Sequence, residues 1–155
     1  MTIEITAEIK SFWNSFISKN PSLNHLSSYK YEAFNFGDSK KMADEIGKLV
    51  LSGKKTATSS LLKAYAGYED ELPKIADYSI LCDGDERPIA ITYTTSLSLV
   101  PFLSVDQKHA FLEGEGDRTL DFWRTEHLEF FNRNYPNFTE KDLVICEQFE
   151  VVFSA

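Results

Sequence analysis

Cysteine is nearly missing from this chain: among 155 residues the thiols are Cys82 and Cys146. Two are too few for a disulfide framework or a thiolate zinc cage. Both lie in apolar runs, where a free cysteine ordinarily packs as a small buried hydrophobe, and the cytoplasm is the compartment this usage predicts. No apolar run approaches the roughly 20 residues a membrane helix needs. Residues 1–10 include Glu4 and Glu8 and lack the basic start and apolar stretch of a secretory leader. Glycine and proline are scarce, seven and five, which excludes collagen-like and disordered Pro/Gly-rich classes. Cations are the minority charge: 16 Lys and Arg against 24 Asp and Glu give a formal net charge of −8. Nonspecific binding to duplex DNA rests on many cations facing phosphates, so it is not expected. A small local basic pocket is compatible with this balance.

What is present is apolar and aromatic: 43% of residues are hydrophobic, with twelve Phe, seven Tyr and two Trp. That suffices for one domain over 1–155 with a single core. Ile9, Phe12, Trp13, Phe16 and Ile17 repeat at helical spacing over residues 6–18, and Asn20-Pro21-Ser22 stops the pattern. A second short helical turn is expected around Asn24; with the first helix it makes up an N-terminal addition over 1–28, ahead of a core over 29–155. Residues 29–36 read as a strand, broken by Gly37-Asp38. Asp38 is the expected N-cap of a helix over 39–52 carrying Met42, Ala43, Ile46, Leu49 and Val50, closed by Gly53 at C′. Residues 54–60 read as a strand entry, 61–70 carry no clear period, and 71–73 read as a loop.

Farther on, residues 78–82 alternate as a strand and 83–86 form a turn. Ile89, Ile91, Tyr93, Leu97 and Leu99 share one face of the next strand with Thr95. Ala90, Thr92, Thr94, Ser96 and Ser98 share the other, which is expected to meet solvent or a polar cleft. A helix over 105–111 capped by Ser104 precedes an acidic loop at 113–117. Leu120, Trp123, His127, Phe130 and Phe131 mark a strong helix ending before Pro136, and 143–153 form a closing strand. Glu147 is in register with Leu143, Ile145, Phe149 and Val151, so it is either turned out by a bulge or a partnered inward charge. This order predicts an α+β fold with a mainly antiparallel, curved sheet or small barrel.

Three segments offer chemistry. Gly53-Lys54-Lys55-Thr56-Ala57-Thr58 delivers two cations and two hydroxyls where a helix gives way to a strand. An ammonium suits a phosphate or a developing oxyanion, a lysine with a lowered pKa can act as a base, and a neighbouring hydroxyl can be the nucleophile. The bland alternative is a helix C-terminus complemented by lysines. In Glu113-Gly114-Glu115-Gly116-Asp117, three carboxylates repel one another. One of them could act as a general acid or base, the group could hold a hard cation such as Mg²⁺, or the loop is merely solvated with Asp117 capping the next helix. On the last helix, Trp123-Arg124 stands beside His127. His127 and His109 read first as hydrogen-bonded core residues, and no histidine spacing suits zinc. Tyr65 and Tyr68 are freer to stack on a base than Tyr93, which lies on the apolar face of its strand.

Phe34-Asn35-Phe36-Gly37-Asp38, then 49–58 with its Gly-Lys-Lys-Thr-Ala-Thr, then Glu113-Gly114-Glu115-Gly116-Asp117 through Leu120, Trp123-Arg124 and His127 resemble the bacterial branch of the ASCH (activating signal cointegrator homology) family. The resemblance implies a PUA-like β-barrel or curved antiparallel sheet flanked by helices. It also implies binding of single-stranded RNA or a small nucleoside or nucleotide in a polar cleft, without a membrane. Some bacterial members are similar to amidohydrolases that deacetylate N4-acetylcytidine with a lysine, a threonine and a glutamate, and others are metal-dependent ribonucleases. Carried over residue by residue, the catalytic trio falls on Lys55, Thr58 and Glu115. Lys54, Thr56, Glu113, Asp117 and Arg124 would bind ligand. The acidic loop is longer than the amidohydrolase pattern, since it also holds Glu113 and Asp117. No cofactor follows from the amidohydrolase reading, whereas the ribonuclease reading would call for a divalent cation such as Mg²⁺. A non-catalytic RNA-binding module is the remaining alternative.

Overall fold

The structure, a computed structural model, describes residues 2–155; Met1, which opens the acidic N-terminal stretch, lies outside them. In chain order the elements are β1 (Thr2–Ile3), α1 (Ala7–Lys19), β2 (Glu32–Phe34), α2 (Lys40–Leu51), β3 (Ala57–Leu61), β4 (Tyr78–Cys82), β5 (Pro88–Pro101), α3 (Gln107–Glu113), α4 (Leu120–Asn134) and β6 (Leu143–Ser154). Short 3-10 turns occupy Pro21–Leu26, Leu62–Tyr65, Glu69–Glu71 and Phe102–Ser104. The strands hydrogen-bond in the order β1-β2-β4-β5-β6-β3. The pairs β1–β2, β4–β5 and β3–β6 are antiparallel, and β2–β4 is parallel. The fold class is therefore α+β. Among the described residues no helix is long and apolar enough to cross a membrane.

The chain divides into two compact units, each with its own core. The first takes in residues up to Gly53, Ala76–Tyr93 and Glu150–Ala155. Thr6 caps α1 by accepting from the Ile9 N–H at 3.2 Å. The stripe predicted from spacing is the buried face, with Ile9, Trp13, Phe16 and Ile17 packed among Ala33, Ile80, Cys82 and Ile91. Trp13 also stacks on Tyr31 at 4.6 Å between centroids. Ser39, not Asp38, caps α2, accepting from the Met42 N–H at 3.1 Å. Gly37 makes the turn before it at φ 77°, and a Cβ there would sit 2.6 Å from that of Met42. Gly53 closes the helix in the left-handed region, as the sequence predicts. The two faces of β5 are not divided as alternation suggests: Ala90 and Thr92 are buried on the face expected to be polar and open, and Ile91 on the other is buried too. A strand covered on both sides loses the clean apolar-in, polar-out contrast.

The second unit takes in Lys54–Ile75 and Thr94–Phe149. Its core gathers Leu61, Phe102, Val105, Ala110, Trp123, Phe131, Phe138, Val144 and Cys146. The helix expected over 105–111 instead runs Gln107–Glu113, capped by Asp106, which accepts from the His109 N–H at 2.9 Å. Ser104 is spent in the preceding 3-10 turn. This shift places Glu113 in the last turn of a helix rather than in a loop. Thr119 caps α4, accepting from the Phe122 N–H. Asp117 acts one step back by accepting from the Thr119 N–H at 3.0 Å and hydroxyl at 2.6 Å. Thr94 is buried in this unit, and its hydroxyl donates to the Glu147 carboxylate at 2.6 Å. Glu147 is thus the partnered charge among the two alternatives its register allows.

Candidate functional site

The site begins where α3 ends. Gly114 stops the helix at φ 73°, and the chain there runs so close to the Lys54 carbonyl that a Cβ would collide with it. The Thr56 N–H donates to the Leu112 carbonyl at 2.8 Å, and the Thr56 carbonyl accepts from the Phe149 N–H at 3.0 Å. Arg118 binds the same junction: its guanidinium donates to the carbonyls of Phe111 at 3.0 Å and Lys54 at 3.3 Å. These backbone contacts carry the Lys54–Thr56 segment across the end of α3 and aim Lys55 at the acidic residues.

Lys55 is 1% exposed, and so is Glu113. The Lys55 ammonium donates to Glu113 Oε1 at 3.2 Å, to Glu115 Oε2 at 3.0 Å and to the Glu113 carbonyl at 3.5 Å. Glu115 differs in exposure, with 26% of its side chain open to solvent. Residues sixty positions apart therefore meet, as the two-motif reading requires. Glu113 gathers more donors. Its Oε2 accepts from the Ser59 hydroxyl at 2.5 Å and the Trp123 indole N–H at 2.5 Å, and lies 2.8 Å from His109 Nε2. His127 Nε2 stands 3.4 Å from Glu113 Oε1. Its Nδ1 lies 2.9 Å from the Trp123 carbonyl, which only accepts, so Nδ1 carries a proton. His127 also stacks on Trp123 at 4.2 Å.

The electrostatics follow from this geometry. Burial opposes charge on Lys55, but the Glu113 and Glu115 carboxylates outweigh it and hold the ammonium above its ordinary pKa. Burial opposes charge on Glu113 as well, but Lys55, His127 and His109 outweigh it and hold the carboxyl well below its ordinary value. For His109, burial is outweighed by hydrogen bonds to Cys146 and Glu113, and the imidazole is pushed up to about 9. His127 is raised too, its burial outweighed chiefly by Glu113. Lys55 is therefore a charged electrostatic group at neutral pH, and a neutral base is not what these surroundings favour.

The remaining expected residues divide. Thr58 pairs across the sheet with Glu147, and strand alternation sets it on the face of β3 opposite Ala57 and Ser59. Lys54 and Thr56 contribute backbone groups to the junction just described. Asp117 is engaged by Thr119, and the Arg124 guanidinium donates to the Leu103 carbonyl at 3.1 Å. Ser59 is the participant the sequence reading passed over; its position two residues beyond Ala57 on one face of β3 was the available signal. His109 and His127 read correctly as hydrogen-bonded interior residues, but their common partner was not foreseen. His109 and Glu113, four apart on one helix, were the trace of it.

The donor set does not suit a metal. Glu113 is saturated by five donors and Asp117 is committed to Thr119, and among the described residues no three His, Cys, Asp or Glu side chains are placed to share an ion.

Comparison with known proteins gives the family. Residues 32–153 match the family model described as the ASCH domain. The crystal structure of protein EF3133 from Enterococcus faecalis V583 is similar at 36% identity and TM-score 0.83, covering 96% of this chain and 94% of that one. The crystal structure of an ASCH domain from Lactobacillus crispatus JV V101 is similar at 27% identity and TM-score 0.87, covering 96% of each. No curated protein matches.

Proposed function

This chain belongs to the ASCH domain family and has its α+β, PUA-like fold, and on that premise we propose that it binds RNA, or a modified nucleoside, at the Lys55–Glu115 pair and hydrolyses an N4-acylated cytidine. The family supports RNA binding in general terms, whereas the substrate and the reaction are our reading. The observation that carries it is the 3.0 Å contact between the buried Lys55 ammonium and the solvent-facing Glu115 carboxylate. A ligand entering from solvent meets Glu115 first. That carboxylate accepts from an exocyclic amine of a base, and the ammonium behind it then faces the acyl oxygen.

In the reaction a water molecule attacks the acyl carbon, Lys55 stabilises the oxyanion that forms, and Glu115 takes the water's proton and delivers it to the departing amine; Thr58, on the face of β3 opposite Ser59, takes no part in this step. Lys55 serves as a fixed positive charge, in keeping with its two carboxylate partners. Glu113 stays out of the chemistry and holds Lys55 in place. Metal-dependent phosphodiester cleavage finds no support in the donor set, and RNA binding without turnover is the second outcome of the test. A cytoplasmic site of action completes the reading.

The test is turnover of N4-acetylcytidine, followed by absorbance, for the wild type, Glu115→Gln and Glu115→Ala. The wild type is expected to release cytidine, and each variant to lose at least about 100-fold while keeping its circular dichroism spectrum. A wild type inactive on all N4-acylated cytidines would overturn the hydrolase. RNA affinity that is lost with added salt would then leave the binding module in place, and a flat salt response would remove that too.

A further inference from the structure

Lys55 and Glu113 are both buried, and a buried ammonium beside a buried carboxylate is ordinarily consumed by it. Here Glu113 Oε1 is shared. The Lys55 ammonium lies 3.2 Å from it and His127 Nε2 lies 3.4 Å from it, while Lys55 makes its shorter carboxylate contact outward, to Glu115 at 3.0 Å. The charge on His127 follows from what its two nitrogens face. Nδ1 meets the Trp123 carbonyl at 2.9 Å, and Nε2 meets a carboxylate oxygen. Both are acceptors. A neutral ring carries one proton and would aim a lone pair at one of them, whereas the imidazolium satisfies both. Turning the ring over gains nothing, since carbons would then face both acceptors. Trp123, stacked on the ring at 4.2 Å between centroids, and Phe131 at 5.7 Å hold its plane. The His127 side chain is 15% open to solvent, so the ring can trade its proton with the medium.

We propose that His127 is a positioning residue for the Lys55 site: as the second cation on Glu113 Oε1 it takes up part of that carboxylate's charge and leaves the Lys55 ammonium turned toward Glu115 and the ligand. Charged groups on three segments bear on the ring. Burial opposes its charge, but Glu113 at the end of α3 and Glu115 in the loop after it, helped by the Trp123 carbonyl, outweigh burial and hold the imidazole above its ordinary pKa. Lys55, across Oε1 from it, acts in the opposite sense. His109, also on α3, is engaged on the other oxygen, Oε2.

As pH rises and His127 gives up its proton, Oε1 turns its full charge on Lys55 and draws the ammonium inward, away from Glu115. In the hydrolase proposed above, on which this consequence rests, the oxyanion then loses its partner and turnover falls. The proton on His127 thus governs the alkaline limb of the reaction, although the ring touches neither substrate nor water nucleophile.

Two measurements on the full chain test this. In the first, ligand-free, ¹⁵N-labelled wild type is titrated by NMR. Both His127 ring nitrogens are expected to carry protons at pH 7, and the Lys55 Nζ resonance is expected to shift in step with the ring's deprotonation. In the second, turnover of N4-acetylcytidine is followed against pH for the wild type, His127→Asn and His127→Gln. The asparagine amide can serve the Trp123 carbonyl in place of Nδ1 but ends short of Glu113, and kcat is expected to fall about tenfold at pH 7 with KM within about twofold. The glutamine amide can place an N–H where Nε2 stood; it should restore kcat to within about threefold of wild type and abolish the alkaline limb. A neutral His127 ring at pH 7, or a Lys55 Nζ resonance that ignores the ring's titration, would overturn the proposal whether or not the protein turns over substrate, and neither readout needs a variant to fold. In an active wild type, an alkaline limb that survives in His127→Gln would overturn it too, because that limb would belong to His109 or Lys55. A wild type without turnover removes the hydrolase alone, and the spectra then decide whether His127 shares Glu113 with Lys55.

Discussion

Replacing Glu113 with Gln tests how far a single buried carboxylate organises the second unit. The side chain keeps its shape and loses its charge. In the wild type, Oε1 faces the Lys55 ammonium and His127, and Oε2 faces Ser59, Trp123 and His109. A glutamine must turn an NH₂ toward one of these sets, so a donor meets donors whichever way the amide lies. Lys55 loses one of its two carboxylates in a setting only 1% exposed. Removing one partner of a buried pair costs about 3–5 kcal/mol, and at this chain length each kcal/mol moves Tm by roughly 2–4 °C. We therefore expect Tm to fall by about 10–15 °C and the urea midpoint to fall in proportion. The pH dependence supplies a sharper signature. His109 has its folded pKa raised from 6.5 to about 9, so its contribution is complete below pH 6.5 and is lost as pH rises toward 9. At full strength that contribution is on the order of 3 kcal/mol. Glu113→Gln removes a carboxylate that stabilises the charged ring, so the alkaline slope should flatten. A variant within about 1 kcal/mol of wild type, or one that keeps the wild-type slope between pH 6.5 and 9, would refute this account.

The acid limb should mirror the alkaline one. Glu113 is held well below its ordinary 4.5, so its stabilisation is present above pH 4.5 and is lost as pH falls from there through the lower folded value; urea midpoints between pH 2 and 5 check this. Gly114→Ala should destabilise by about 2 kcal/mol or more, because the residue sits at φ 73° and its Cβ would meet the Lys54 carbonyl. Thermal melts measure that loss, and a neutral outcome would show that the junction relaxes at little cost.

How much of this could be read from the sequence depends on the range of the interaction. Helices α1, α2 and α4 were legible because their buried stripes recur every three or four residues and their caps lie within three. The cap of α2 was misplaced by one residue, since Asp38 and Ser39 are both able acceptors. The start of α3 was misplaced because the 3-10 turn at Phe102–Ser104 mimics the first turn of a helix. The faces of β5 were misjudged because alternation records polarity alone, and two buried threonines find partners that sequence does not list: Thr92 donates to the Ser79 carbonyl at 3.5 Å and Thr94 to Glu147. The pairing of Lys55 with the acidic loop was legible only through family resemblance, because nothing local joins residues 58 and 60 positions apart. Even then the roles of the acids stayed open, because spacing does not reveal which one is buried.

That difference in burial explains how three acids within five residues coexist. Glu113, still inside α3, receives five donors and is spent on holding Lys55, both histidines, Ser59 and Trp123 in fixed relation. Asp117 is spent on Thr119 at the start of α4. Glu115 lies between Gly114 and Gly116, both in the left-handed region, and a Cβ on either would strike its neighbour: the Lys54 carbonyl on one side and the Phe122 ring on the other. The two glycines let the backbone pass through that gap and leave one side chain free to reach outward. Lys55 anchors that side chain from behind without enclosing it. A site needs one acid held still by the fold and one facing solvent, and the Glu-Gly-Glu-Gly-Asp spacing supplies both because the helix ends between them.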